Sequence, residues 1–135
     1  MQQNYRNMNN LLFVRLDGDN IGDSIELSLR YGTISKAQET HDIVQSSIGK
    51  IRDRIERQKG SKILMVGCDD ILFSIQHENN NIQFLDELND LFFKHCKFTL
   101  SIGVGLSVNH AMEALRLSKL SRKNKVTDYR LLKES

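Results

Sequence analysis

Three aspartates stand out by type and position: Asp17, Asp69 and Asp70. Asp17 directly follows residues 11–16, a compact apolar run of the length of a buried strand. Asp69 and Asp70 sit in the turn Gly67-Cys68-Asp69-Asp70, between apolar runs at 62–66 and 71–75 that read as a β-hairpin. In a βαββαβ sheet the first strand is expected beside the strand that enters this hairpin, with its C-terminal end at the hairpin turn. Asp17 should then face Asp69 or Asp70. Carboxylates brought that close repel one another. A hard divalent cation removes the repulsion, and oxygen ligands suit Mg²⁺ or Mn²⁺. Two such ions about 3.5–4 Å apart would align an attacking hydroxyl with a triphosphate. Asp-Gly and Asp-Asp are ordinary turn formers taken singly. The chemistry is argued from their joint placement.

The elements that must position these acids follow from the hydrophobic pattern. After the turn cluster Asp17-Gly18-Asp19-Asn20, residues 21–31 read as a short helix with Ile21, Ile25 and Leu29 on one stripe, stopped by Gly32. A longer helix follows, with Ser35 and Gln38 spaced as a capping box. Ile34, Ala37, His41, Val44, Ile48, Ile51 and Ile55 share one face of it, and Gly60 ends it. Ile82, Leu85, Leu88 and Phe92 mark a third helix that ends near His95 and Cys96. Residues 98–106 alternate apolar with small or polar, which predicts a strand with one poorly covered face. A fourth helix is expected over about 109–121, and a short last strand over 126–131. The expected fold class is α+β: a ferredoxin-like βαββαβ core with an extra helix after strand one, a mostly antiparallel sheet, and helices on one face.

Composition excludes several classes. The chain has 135 residues, 39% of them apolar, with 19 Lys and Arg against 17 Asp and Glu for a net charge of +2. That is neither a strongly basic wrapper of duplex DNA nor an acidic disordered tail, so no direct DNA binding is expected. Residues 1–10 are Asn/Gln-rich and polar, read as a flexible leader, and 11–135 as a single domain. No apolar run approaches the roughly 20 residues of a membrane helix. Two cysteines form no disulfide framework, so a reducing, cytoplasmic setting is expected.

The two acidic motifs, strand-Asp17-Gly18-Asp19-Asn20-Ile21-Gly22 and strand-Gly67-Cys68-Asp69-Asp70-strand, resemble the signatures of polymerase-type palm domains. These include the polymerase-like subunit of type III CRISPR complexes. By size the chain resembles the minimal CRISPR polymerase family. A third segment resembles the related GGDEF diguanylate cyclases: Ser101-Ile102-Gly103-Val104-Gly105, then Ala114-Leu115, Ser118-Lys119 and Arg122-Lys123-Asn124. The resemblance spans roughly residues 11–130. It implies an enzyme that joins nucleoside triphosphates, ATP on the CRISPR side of the resemblance, into a cyclic dinucleotide or small cyclic oligonucleotide signal for antiviral defence. A separate effector protein would read that signal. Asp17 and the Gly18 carbonyl would be metal ligands, with Asp69 the main hairpin ligand and Asp70 the second acid. Lys119, with Arg122 and Lys123, would hold the triphosphate, and Asn20, Gly22, Gly67 and Cys68 would border the nucleotide. The family hairpin has glycine where Cys68 stands here, and a small cysteine should preserve the turn.

Other residues carry less. Asp19 could bind metal, cap the first helix or solvate the turn. His41 reads as a core histidine, and His77, His95 and His110 have no zinc-like spacing with the cysteines. Residues 111–135 hold seven Lys and Arg against three acids, either a solvated tail or a triphosphate-facing patch. The rival readings are a GTP-using diguanylate cyclase, a nucleotide receptor with a degenerate site, and a ferredoxin-like regulatory module. A cyclic dinucleotide needs two triphosphates, so a twofold homodimer with facing sites is expected, its contact surface at or beside the alternating strand 98–106.

Overall fold

The computed structural model describes residues 10–78, 81–121 and 126–128. They form a five-stranded sheet in the order β2-β3-β1-β4-β5. The strands are β1 (Leu11–Gly18), β2 (Ser61–Val66), β3 (Asp70–Gln76), β4 (Leu100–Gly105) and β5 (Val126–Asp128). Four helices connect them: α1 (Ile21–Arg30), α2 (Ile34–Arg57), α3 (Asn81–Cys96) and α4 (Val108–Ser121). All pairings are antiparallel except β4 with β5. The α+β palm-like architecture is the one expected. Residues 129–131 of the expected last strand lie outside the described residues.

One neighbour relation differs from the expected one. β1 pairs with β3, the strand that leaves the hairpin, and not with β2, which enters it and forms the sheet edge. The antiparallel register still sets Asp17 opposite Asp70. Both partners of an antiparallel hairpin end at the same turn, so either strand would have delivered the hairpin acids to the end of β1.

Alternation along β1 sorts its side chains. Leu12, Val14 and Leu16 are buried in the main core with Val44, Ile48, Ile51 and Ile55 of α2 and Phe84, Leu88 and Phe92 of α3. Arg15 and Asp17 belong to the opposite face. The stripe on α2 is shorter than expected. Ala37, Val44, Ile48, Ile51 and Ile55 are buried, whereas Ile34 and His41 are exposed because the first turns overhang the core. The expected capping box is absent. The helix starts at Ile34 after Thr33, whose hydroxyl donates to the Ser28 carbonyl at 2.8 Å.

β4 also departs from expectation, since every residue of it is buried. Leu100, Ile102 and Val104 face the main core. On the other side α4 lies directly over Gly103 and Gly105. A Cβ on Gly103 would stand 2.3 Å from the Ala111 carbonyl oxygen and from the Leu115 nitrogen, both backbone atoms. The small residues of the alternation are therefore the bed of a helix, and helices lie on both faces of the sheet rather than on one as expected. β4 is interior, between β1 and β5, and cannot supply a dimer surface. No described helix is long and apolar enough to cross a membrane.

This close approach sets where α4 ends, and so where Lys119 sits. Gly103→Ala should destabilise the fold by about 1–3 kcal/mol through overpacking against backbone that cannot give way. Gly49→Ala, in α2 with nothing within 4 Å of the added methyl, should stabilise it by roughly 0.5–1 kcal/mol. Denaturant melts of the two variants check the pair.

Candidate active site

The site is built where strand ends meet. The Gly18 N–H donates to the Asp69 carbonyl at 2.9 Å, which fastens the hairpin to the end of β1. Within the hairpin the Gly67 N–H donates to the Asp70 carbonyl at 2.9 Å. A Cβ on Gly67 would lie 1.9 Å from Asp70 Oδ1, so this glycine makes room for the acid. The next position has no such demand: Cys68 is exposed. What holds the tip is its carbonyl, which accepts from Gln45 Nε2 of α2 at 2.7 Å.

These contacts bring Asp17, Asp69 and Asp70 together. Each offers an oxygen, and the three oxygens lie within 4.8 Å of one another. Burial raises the pKa of Asp17, with the Asp70 charge adding to it and Lys119 opposing. Burial likewise raises that of Asp69, reinforced by Asp17 and Asp70. A convergent set of hard oxygen donors whose mutual repulsion is only partly relieved fits a divalent cation such as Mg²⁺ or Mn²⁺.

Two cations of the chain answer part of the charge. Arg15 Nη2 donates to Asp70 Oδ2 at 2.5 Å. Lys119 Nζ donates to the Gly18 carbonyl at 3.0 Å and to Asp19 Oδ1 at 3.1 Å, and lies 3.4 Å from Asp17 Oδ2. The lysine expected to hold a triphosphate therefore stands against the acids and the carbonyl expected to bind metal.

Asp19 is neither a helix cap nor a solvated turn residue. It is 1% exposed and accepts from the Thr99 and Ser101 hydroxyls at 2.6 and 2.7 Å as well as from Lys119. A buried carboxylate so enclosed is an anchor for the ammonium. α1 is preceded instead by Asn20, in the left-handed conformation at φ 63° with no side-chain cap bond. Gly22, in the first turn of α1, is exposed, with open space where a side chain would be. Arg122 and Lys123 lie outside the described residues. Sequence reasoning missed Arg15, Gln45 and the role of Asp19. Arg15 was readable: it alternates with Asp17 on β1, hence shares its face. Gln45 is a polar residue on a helix and gave no signal.

The raised pKa values fix a sign. A carboxylate whose pKa is higher in the folded than in the unfolded chain opposes folding once ionised. The loss sets in as pH rises past about 4 and is complete above the raised pKa. Asp69→Asn should therefore raise the melting temperature of metal-free protein at pH 7, and the gain should vanish below about pH 4. Mg²⁺ or Mn²⁺ should raise the melting temperature of the parent more than that of the variant. Thermal melts across pH, with and without metal, check both statements.

Residues 13–129 match the minimal CRISPR polymerase domain. No curated protein matches the sequence. Among solved structures, the GGDEF domain of DgcB from Caulobacter crescentus, in complex with c-di-GMP, superposes with a TM-score of 0.63 at 15% identity, covering 89% of this chain and 78% of that one. The GGDEF domain of PA1120 from Pseudomonas aeruginosa gives 0.59 at 13% identity, covering 94% and 86%. A Csm1–Csm4 cassette in complex with cA4 gives 0.67 at 18% identity, covering 86% of this chain but only 20% of that one. At these identities the structures share the fold. The sequence match spans nearly the whole chain, with both acidic strand ends inside it, and so this chain belongs to the minimal CRISPR polymerase domain family.

Proposed function

We propose that the protein is a metal-dependent nucleotidyltransferase that condenses nucleoside triphosphates, ATP first among them, into a cyclic dinucleotide or small cyclic oligonucleotide. The observation that carries the reading is the meeting of Asp17, Asp69 and Asp70 within 4.8 Å, beside Lys119, at strand ends of a palm. A regulatory ferredoxin-like module or a degenerate receptor has no use for three mutually repelling acids. In each transfer a ribose hydroxyl oxygen of one nucleotide bonds to the α-phosphorus of another. The bond from that phosphorus to the leaving pyrophosphate breaks, and the hydroxyl proton passes to water. A second transfer in the opposite sense closes the ring.

Asp17, Asp69, Asp70 and the Gly18 carbonyl would hold Mg²⁺ or Mn²⁺, two ions in the full complement. Such ions supply charge neutralisation and a more acidic attacking hydroxyl. Lys119, with Arg122 and Lys123, would hold the triphosphate as its charge redistributes. Asn20, Gly22, Gly67 and the backbone of Cys68 would border the nucleotide, and the Cys68 thiol would have no chemical part. The product would act as a cytoplasmic signal in antiviral defence, read by a separate effector protein. GTP as substrate, the habit of diguanylate cyclases, is the rival within the same chemistry.

Incubation with Mg²⁺ or Mn²⁺ and each of the four nucleoside triphosphates, followed by mass spectrometry, tests this reading. A cyclic product should appear from ATP. Asp17→Ala, Asp69→Ala and Asp70→Ala should each abolish it while the protein stays folded, and Cys68→Ser should keep substantial activity. Lys119→Ala should raise KM and lower kcat/KM. Near-normal turnover by Asp69→Ala would remove the metal assignment.

Among the described residues one palm offers a single acid cluster, with Lys119 beside it, while the reaction needs two nucleotides presented to each other. A twofold dimer with facing sites is the economical assembly. Activity per protomer should then rise with protein concentration at the low end, and ultracentrifugation with a non-hydrolysable ATP analogue should show dimer. A persistent monomer with concentration-independent activity would mean one chain binds both nucleotides.

A further inference from the structure

α4 covers only part of the second face of the sheet. It packs mainly on β4, β1 and β5, with few contacts to the β3–β2 half. Between that half and the first turns of α4 lies a cavity of about 360 Å³, walled by Met65, Leu72, Val108 and Met112. Its polar end is made by Arg15 and Asp70, the ion pair of the active site. The volume falls in the range of small-molecule sites, about 300–1,000 Å³, and the pattern of apolar walls with a few convergent polar groups is theirs too. Met65 and Met112 are 68% and 46% exposed.

The placement relative to Lys119 gives the groove a direction. Met112 is seven residues before Lys119 on the same helix, about 10 Å along its axis at 1.5 Å per residue. Lys119 stands at Gly18 and Asp19, on one side of the acid cluster. The groove opens from Asp70, on the other side. In phosphoryl transfer the attacking and leaving oxygens lie roughly in line, on opposite sides of the phosphorus. If Lys119 marks the side of the leaving pyrophosphate, the groove is on the side of the attacking hydroxyl.

We propose that this groove is the subsite for the nucleobase of the acceptor nucleotide, an assignment that rests on the nucleotidyltransferase reading of the same acid cluster. A flat heteroaromatic ring fits polarisable methionine walls, which make favourable sulfur–aromatic contacts. The Arg15 guanidinium at the polar end presents donors to ring nitrogens or carbonyl oxygens, and a planar surface on which a ring can stack. An acceptor seated by its base leaves its own triphosphate free to be carried by a second copy of the chain.

Adenosine and guanosine 5′-monophosphate test the subsite, since each has a base and hydroxyls but no pyrophosphate to lose. With the diamagnetic Mg²⁺ present, either one should shift the methyl NMR signals of Met65 and Met112. Offered with ATP, it should also be joined into a linear dinucleotide. Met112→Glu, a change at an exposed position, should weaken monophosphate binding and its incorporation by about ten-fold or more by placing a charge against the ring. Affinity for inorganic triphosphate should be unchanged, and Met112→Leu should restore binding. Should the glutamate variant fail to fold, Met65→Ser carries the same comparison. Unchanged monophosphate binding, or an equal loss of triphosphate affinity, would overturn the subsite. So would a loss fully recovered at high protein concentration with a shift from dimer to monomer, which would make the groove a contact between copies. Absence of any product from the parent protein would instead remove the nucleotidyltransferase reading, and the methyl shifts would still decide whether the groove takes a base.

Discussion

Negative charge gathered at the adjoining ends of β1 and β3 is the constraint that the rest of this fold serves. Asp17 and Asp70 are register partners, and Asp69 is drawn in by the bond from the Gly18 N–H to its carbonyl. No chain would place three carboxylates there for stability, because the ionisation of Asp17 and of Asp69 is opposed by burial and by neighbouring carboxylates. The apolar side of the same strands supplies the offset. Leu12, Val14 and Leu16 on β1 and Ile71, Phe73 and Ile75 on β3 are almost wholly buried against α2 and α3. Period-two alternation thus separates the tasks: one face of each strand holds the sheet together, and the other carries groups that push apart.

The second face has its own solution. Gly103 and Gly105 strip β4 of side chains so that the α4 backbone can lie on it. A helix this close is a rigid arm. Its last turn delivers Lys119 to the carbonyl of Gly18 and to Asp19, a residue held in turn by Thr99 and Ser101 at the start of β4. Chemistry at the end of β1 is therefore tied to packing at the middle of β4. The hairpin is steadied from the opposite layer, by Gln45 of α2 on the Cys68 carbonyl.

Local pattern carried much of this. Each apolar run, helix face and acidic turn is spelled out by residues a few positions apart, and the described elements lie close to where the pattern puts them. The capping box at Ser35 and Gln38 failed locally, but the other misreadings share a cause: each depended on a part of the fold far away in the chain. Asp19 looked like a turn residue because Thr99, Ser101 and Lys119 are 80–100 residues distant. The glycines of β4 looked like an uncovered face because the helix that covers them comes afterwards. His41 and Ile34 followed the stripe of α2 faithfully, yet periodicity says nothing about where the sheet beneath a helix stops. The choice between β2 and β3 as neighbour of β1 is likewise a matter of topology, to which a hairpin sequence is indifferent.

Charge arithmetic at the site limits how a nucleotide can enter. Asp17, Asp19, Asp69 and Asp70 bring four carboxylates, and Arg15 and Lys119 bring two cations within ion-pair distance of them. Fully ionised, the cluster keeps an excess of two negative charges, the charge of one divalent ion. A triphosphate adds more of the same sign, and in a half-buried setting that repulsion is poorly screened. It is accommodated where further positive charge meets it, from a metal ion or, on the proposed assignment, from Arg122 and Lys123. Lys119 cannot serve both parties fully, since its ammonium is already shared among Gly18, Asp19 and Asp17. A divalent cation on the acids and the Gly18 carbonyl would take over part of that work and leave the lysine charge available to phosphate. On this account metal and triphosphate bind with mutual reinforcement, each relieving the repulsion that the other would meet alone.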